Sequence, residues 1–166
     1  MEEKHIAGGR VRVLVVDDDA ACRDALAEVV SAAEPFTLVG RAASGHEALH
    51  LFPRLEPDLV LLDVRMPGLD GPETARRILR SQPEAAVVLM SADPDSESLA
   101  ASCGATAFLP KSKVSPNRLR EVWAATRTRA AQARREAQAL QEEARAVRGQ
   151  AGHQTRRASR NLGSAG

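Results

Sequence analysis

Four carboxylate side chains follow two short apolar runs of this chain. They are Asp17, Asp18 and Asp19 after the run at 11–16, and Asp63 after the run at 59–62. Short runs rich in Val and Leu, with little alternation, are typical of strands in a parallel sheet covered on both faces. Because ligands of such sheets bind outside the carboxyl ends of the strands, we expect these acidic groups to share one rim.

Carboxylates crowded at one rim need a compensating cation. They repel one another, and each costs several kcal/mol to desolvate unless a positive charge lies beside it. The cluster therefore indicates a bound metal or a partner cation such as Lys. The alternative is that these residues only cap the helices that follow, as Asp commonly does. That alternative explains one Asp per helix but not three in a row.

Two more polar residues follow later apolar runs, namely Ser91 and Lys111. An all-oxygen set of carboxylates with open positions suits Mg²⁺, and no His or Cys joins the set to favour zinc. A carboxylate beside Mg²⁺, with Lys111 and Ser91 in reach, can attack a phosphoryl group and form an aspartyl phosphate. Mg²⁺ and Lys111 would neutralise the transferring oxygens, and the Ser91 hydroxyl would donate a hydrogen bond to one of them.

The elements that must position these groups alternate five times between apolar runs and amphipathic stretches. This order predicts βα units, and right-handed crossovers place helices on both faces of a doubly wound, parallel five-stranded α/β sheet. The predicted strands lie near 11–16, 36–39, 58–62, 86–90 and 105–109. The predicted helices between them lie near 20–33, 44–53, 71–81 and 94–102.

A different composition begins near Ser115, where Ala, Arg, Gln and Glu predict one long helix. Side chains spaced alternately by four and three residues form a heptad seam along it: Leu119, Trp123, Thr126, Ala130, Ala133, Ala137, Leu140, Ala144 and Val147. An Ala-rich seam buries little area, so we expect self-association through it to be weak. After Gly149 the chain has almost no large apolar residues, and we expect disorder there.

Charge is divided unevenly along the chain. Residues 1–115 carry 12 Lys and Arg against 18 Asp and Glu, whereas residues 116–166 carry 11 against 4. The basic tail indicates either an anionic partner or only a well-solvated helix. No apolar run approaches the roughly 20 residues that cross a bilayer, and the polar N-terminus does not look like a signal sequence. These patterns predict a soluble, cytoplasmic protein with no membrane partner.

The remaining reactive side chains have mostly structural interpretations. Cys22 and Cys103 belong to no metal-binding pattern, and we expect buried free thiols. His46 and His50 have the spacing of a metal-binding helix face but lack a third ligand, so we expect a surface pair. We expect Trp123 to pack against the core.

Four segments in order resemble the receiver domain of two-component response regulators. They are Val-Val-Asp-Asp-Asp at 15–19, Leu-Leu-Asp-Val-Arg-Met-Pro-Gly-Leu-Asp-Gly at 61–71, Met-Ser-Ala at 90–92 and Phe-Leu-Pro-Lys at 108–111. The resemblance implies a flavodoxin-like (βα)5 fold and a receiver of the type that usually precedes a helix-turn-helix output domain. It covers a receiver at 11–128. The composition of the rest predicts an N-terminal arm at 1–10, a C-terminal helical extension at 129–148 and a disordered basic tail at 149–166.

The resemblance also implies a role for each site residue. Asp63 would be the phosphoacceptor, assisted by Lys111 and Ser91. Asp18 and Asp63 would coordinate Mg²⁺ together with the backbone carbonyl of Arg65, and Asp17 would act on it through a water. Asp19 would be an exposed or helix-capping residue.

A switch is implied as well, in which Ser91 moves toward the phosphoryl group and the aromatic Phe108 changes rotamer. Phe108 lacks the hydroxyl of the Tyr that receivers often have here, so a core-packing role is an equal alternative. A salt bridge between Arg65 and Asp93 could narrow the path of the water that hydrolyses the phosphoryl group.

The implied partners are a sensor histidine kinase or phosphotransfer protein and, downstream, another protein or a second copy of this chain. The protein would catalyse only its own phosphorylation and dephosphorylation, and would signal through its last two helices or its tail. Two alternatives remain: the basic tail binds nucleic acid, or the chain is the receiver part of a longer transcription regulator. The last 50 residues lack a helix-turn-helix pattern, which argues against sequence-specific DNA binding. A haloacid dehalogenase-type hydrolase would need an Asp at position 65, where this chain has Arg65.

Overall fold

The computed structural model describes the backbone of residues 9–162. Side chains are described within that range except at 129–131, 133, 134, 137 and 146–162. Most of the predicted N-terminal arm, residues 1–8, and the last residues, 163–166, lie outside the described residues. Among the described residues, none of the helices combines the length and the apolar character needed to cross a bilayer.

Five parallel strands and five α-helices alternate along residues 9–162. The strands are β1 (Val11–Val16), β2 (Phe36–Ala42), β3 (Leu59–Asp63), β4 (Ala86–Ser91) and β5 (Ala107–Pro110). The helices are α1 (Ala20–Ala32), α2 (Gly45–Leu55), α3 (Gly71–Ser81), α4 (Glu97–Cys103) and α5 (Pro116–Leu162). The strand order is β2-β1-β3-β4-β5, which confirms the predicted flavodoxin-like fold.

Each face of the sheet has its own apolar core. Alternate residues of the strands, such as Leu14 and Leu62, pack with Phe52 and Ile78 from α2 and α3 on one face. The intervening residues pack on the other face with helices α1 and α5, whose buried members include Leu26, Val30, Leu119 and Val122. Trp123 packs against this second core, as predicted. Burial on both faces explains why the strands appear in the sequence as continuous apolar runs.

Two boundaries of the βα units differ by more than two residues from the prediction. Strand β2 continues to Ala42, because Gly40 and Arg41 pair with β1 although they interrupt the apolar run. The segment Pro94–Ser96 forms a 3-10 turn, and α4 begins only at Glu97. A carboxylate oxygen of Asp93 accepts a hydrogen bond from the backbone N–H of Asp95 and stabilises this tighter turn.

Helix α5 is longer than the sequence predicts. It continues to Leu162, past the predicted boundary at residue 148 and through the segment where disorder was expected. A helical Gly costs about 1 kcal/mol relative to Ala, and the Gly residues at 149 and 152 stand among strong helix formers.

The chain divides into two compact units, Met1–Thr126 and Arg127–Gly166. In the second unit, the Leu140 residue is 66% exposed.

Candidate functional site

The ends of four strands bring the predicted polar residues to one rim of the sheet. Strands β1 and β3 are neighbours, with Val16 opposite Leu62, so Asp17 and Asp63 follow at the same level. Ser91 is the last residue of β4 and lies opposite Pro110 of β5, after which Lys111 begins a short 3-10 turn. The structure therefore brings together the acidic residues, Ser91 and Lys111, as the strand-end argument predicts.

Lys111 forms the electrostatic centre of the rim. Its Nζ lies 2.7 Å from Oδ2 of Asp17 and 2.8 Å from Oδ1 of Asp63. Asp17 is fully buried, and Asp63 is only 5% exposed. Burial by itself lowers the pKa of Lys111, but its hydrogen bonds to the two carboxylates raise that pKa well above its ordinary value. The ammonium therefore stays protonated at neutral pH and compensates part of the acidic charge.

The charge on the rim is only partly balanced. Burial raises the pKa of Asp63; Lys111 opposes this shift, while the charges of Asp17 and Asp18 add to it. The net result is a raised pKa, chiefly because Asp63 is buried. Since three carboxylates at the rim face one ammonium, the rim can bind a further cation.

The oxygen atoms of the rim suit a hard cation. One carboxylate oxygen each from Asp17, Asp18 and Asp63 lies within 4.8 Å of the others. Asp18 is exposed while the other two are buried, so the group is open to solvent on one side. Mg²⁺ prefers oxygen ligands and keeps several waters, and this set of donors fits that preference.

Asp17 already has a partner for each carboxylate oxygen. Its Oδ1 accepts a hydrogen bond from the backbone N–H of Asp19 at 3.0 Å, and its Oδ2 contacts Lys111. Asp19 is the N-cap of α1, where its Oδ1 accepts from the N–H of Cys22 at 2.7 Å. The prediction of a helix-capping role for Asp19 is confirmed.

Ser91 and Phe108 occupy different environments. Ser91 is buried, and its Oγ accepts a hydrogen bond from the backbone N–H of Asp93 at 3.0 Å. Phe108 is half-buried and packs against the core formed with α2 and α3. Its packing role is thus visible, while its switch role stays a prediction.

The predicted ion pair between Arg65 and Asp93 is present. Nη2 of Arg65 lies 2.7 Å from Oδ2 of Asp93, with the two side chains 70% and 40% exposed. An exposed pair contributes only about 0–1 kcal/mol to stability. Its presence links the loop after β3 to the loop after β4, and its effect on hydrolysis stays a prediction.

Cys22 is a neighbour of the site that sequence reasoning missed. Burial raises the pKa of its thiol, and so does the adjacent carboxylate of Asp17. Cys22 is half-buried rather than buried, and both it and the buried Cys103 are free thiols. The sequence could have indicated this position near the site, because Cys22 lies three residues after the cap Asp19 and therefore on the first turn of α1. His46 and His50 are exposed, as expected.

Comparisons with known proteins agree with this geometry. The family model described as "Response regulator receiver domain" matches residues 13–124. Response regulator GacA of Pseudomonas aeruginosa is 42% identical over 81 residues, which is 49% of this chain and 38% of the relative. The chain therefore spans less than half of that relative's length.

Two solved structures extend the comparison. The signal receiver domain of the response regulator NarL from Mycobacterium tuberculosis is 34% identical, with a TM-score of 0.61 over 74% of this chain and 97% of that one. A CheX-CheY-BeF3-Mg+2 complex from Borrelia burgdorferi is 26% identical, with a TM-score of 0.60 over 68% of this chain and 85% of that one.

Proposed function

From the premise that this chain belongs to the response regulator receiver domain family, we propose that it is a phosphoacceptor of a two-component system. Asp63 accepts a phosphoryl group in a magnesium-dependent reaction. The observation that supports this assignment most strongly is the position of Lys111, whose ammonium contacts both Asp17 and Asp63 at the rim. A buried carboxylate paired with a fixed cation is held ready for attack on phosphorus.

The transfer uses groups that the rim already contains. A carboxylate oxygen of Asp63 forms a bond to phosphorus while the bond to the donor's leaving group breaks, and that group departs with the electron pair. Lys111 orients the carboxylate and neutralises charge on the transferring oxygens. By lowering the pKa that burial raises, Lys111 also favours the ionised, nucleophilic form of Asp63. The hydroxyl of Ser91 turns to donate a hydrogen bond to one phosphoryl oxygen.

Asp18, Asp63 and the backbone carbonyl of Arg65 are the groups we propose to hold Mg²⁺. Asp17 acts on the ion through a water, which fits an Asp17 carboxylate whose oxygens already have partners. When bound, Mg²⁺ neutralises charge on the phosphoryl oxygens. The CheX-CheY complex from Borrelia burgdorferi contains beryllofluoride and magnesium, which supports the same pair of ligands here.

The phosphoryl donor that we propose is a sensor histidine kinase or a phosphotransfer protein in the cytoplasm. The signal then passes to a downstream protein, or to a second copy of this chain, through α4, α5 or the tail. The chain's own chemistry is limited to gaining and losing its phosphoryl group. In a longer regulator, the same receiver would control another domain.

Intact-mass spectrometry tests the function after incubation with acetyl phosphate and Mg²⁺. The protein should gain the mass of one phosphoryl group, and Asp63→Asn should gain none. Asp19→Asn is the matched control, because Asn also caps helices well, and this variant should be modified like the parent. An unmodified parent, or an Asp63→Asn variant that still gains the mass, would overturn the proposal.

The charge of the tail favours a second candidate function, nonspecific binding of nucleic acid. Residues 116–166 carry 11 basic residues against 4 acidic ones. Such binding weakens steeply with salt because it releases counterions. A gel shift with arbitrary duplex DNA at low salt, lost when residues 131–166 are deleted, would support it. The absence of a shift for the full chain at low salt would exclude it.

A further inference from the structure

The hydroxyl of Ser91 is held by its own loop. Besides the backbone N–H of Asp93, the hydroxyl of Ser96 donates a hydrogen bond to Ser91 Oγ, at 3.2 Å. Both serines are buried, at 3% and 6% exposure. Water cannot readily replace a lost partner at a buried hydroxyl, so breaking this bond has a free-energy cost.

Ser96 stands at the N-cap of α4 but does not cap it. A Ser at this position commonly accepts a hydrogen bond from a backbone N–H two or three residues later. The side chain of Ser96 makes no such bond, and its backbone is helical, with φ −74° and ψ −3°. Its hydroxyl is directed to Ser91 instead. The side chain of Ser96 therefore forms a hydrogen bond with Ser91 instead of capping α4.

The loop that carries these donors is itself anchored. Asp93 accepts from the N–H of Asp95 with one carboxylate oxygen, at 3.1 Å, and from Arg65 with the other, at 2.7 Å. The backbone N–H of Ser96 also donates to the carbonyl of Asp93 at 3.2 Å. Because the loop is braced in this way, the hydroxyl of Ser96 is presented to Ser91 in one defined position.

We propose that Ser96 is a positioning residue that holds Ser91 in the unphosphorylated arrangement and thereby disfavours the phosphorylated one. The inference rests on the proposed function, in which the Ser91 hydroxyl turns toward a phosphoryl oxygen. That turn breaks the bond to Ser96 and leaves the Ser96 hydroxyl buried without this acceptor. Only the phosphorylated arrangement loses this hydrogen bond. Ser96 therefore contributes to the free-energy difference between the phosphorylated and the unphosphorylated arrangement.

Calorimetric titration with beryllofluoride at saturating Mg²⁺ tests the inference. Ser96→Ala removes the donor and should bind beryllofluoride between about twofold and tenfold more tightly, the range that corresponds to one neutral hydrogen bond. Ser96→Thr keeps the hydroxyl and should bind like the parent. Ser102→Ala is the matched control, since the Ser102 hydroxyl donates to the carbonyl of Leu99 on the same helix; its affinity should not change.

A double-mutant cycle separates this role from a general structural one. If Ser96 acts through Ser91, then Ser96→Ala should change nothing in a Ser91→Ala background. Unchanged or weaker binding by Ser96→Ala, or an equal effect in both backgrounds, would overturn the inference while leaving the proposed function intact. A parent protein that does not bind beryllofluoride would overturn the proposed function, and this inference with it.

Discussion

At the scale of single residues, the site depends on an imbalance of charge around Lys111. Its ammonium contacts Asp17, which is fully buried, and Asp63, which is nearly so. Asp18 adds a third carboxylate to the same group. The Lys111 ammonium thus compensates for part of the buried negative charge. The negative charge that remains favours binding of a divalent cation.

Replacing Lys111 by Met keeps much of the side-chain volume but removes the charge. Without Mg²⁺ the variant should be less stable at neutral pH by about 3 kcal/mol, the lower part of the range for breaking a buried ion pair. Urea unfolding measures this difference, and added Mg²⁺ should recover part of it.

The same variant has a defined pH dependence. Because Lys111 opposes the upward shift, its loss raises the pKa of Asp63 further. A carboxyl group whose pKa is raised in the folded state favours folding below its unfolded pKa and loses that contribution as pH rises through the folded pKa. The loss of stability of the variant relative to the parent should therefore be largest at neutral pH and become smaller in acid. Equal stabilities of variant and parent at neutral pH would contradict this electrostatic account.

At the scale of elements, the start of α3 is built onto the backbone that carries Asp63. The N–H of Gly71 donates to the carbonyl of Val64 at 2.9 Å, and Asp70 caps α3 by accepting from the N–H of Glu73. A Cβ atom at Gly71 would meet the backbone oxygen of Asp63 and lie 2.9 Å from the Cα of Val64. Only Gly permits this approach, so the connection fixes where Asp63 sits.

Gly71→Ala should therefore reduce both stability and phosphorylation, with a stability loss above about 2 kcal/mol. Gly40→Ala is the control: its Cβ would meet the flexible ends of the Leu55 and Leu14 side chains rather than backbone. That variant should lose less stability and keep its reaction with acetyl phosphate. Thermal unfolding and intact mass measure the two effects. Equal losses in both variants would contradict the role of the close backbone approach.

The elements also show what the sequence can and cannot predict. The strand-end rule correctly placed Asp17, Asp63, Ser91 and Lys111 on one rim, because buried parallel strands leave a clear apolar signal. It could not predict the hydroxyl contact of Ser96, which depends on the path of a loop with no periodic pattern. The apolar run alone ended the predicted β2 at residue 39, whereas strand pairing continues to Ala42.

At the scale of the whole molecule, the chain divides into two compact units, Met1–Thr126, which contains the receiver core, and Arg127–Gly166. The apolar side chains of α5 that complete the core, including Leu119 and Val122, lie before the boundary at Thr126. Beyond it, Leu140 is 66% exposed and the side chains described at 138–145 are also exposed. The stability of the receiver should therefore depend on the first part of α5 and not on the rest.

A chain ending at Thr128 should keep the parental melting temperature within a few degrees and react with acetyl phosphate as the full chain does. A chain ending at Asn117 is the contrasting truncation. It loses the buried Leu119 and Val122, and removing large core side chains costs about 2–5 kcal/mol each. Circular dichroism should show it unfolded or strongly destabilised. A shorter chain that melts like the parent, or a Thr128 chain that fails to fold, would contradict the division of the molecule.

The most direct test of the central claim is to locate the phosphoryl group. Borohydride reduces an acyl phosphate to an alcohol, so an aspartyl phosphate becomes homoserine. After reaction with acetyl phosphate and Mg²⁺, reduction and peptide mapping should place homoserine at position 63 alone. Homoserine at Asp17, Asp18 or Asp19, or a phosphoryl group on Ser, His or Lys instead, would contradict the assignment of Asp63 as the acceptor.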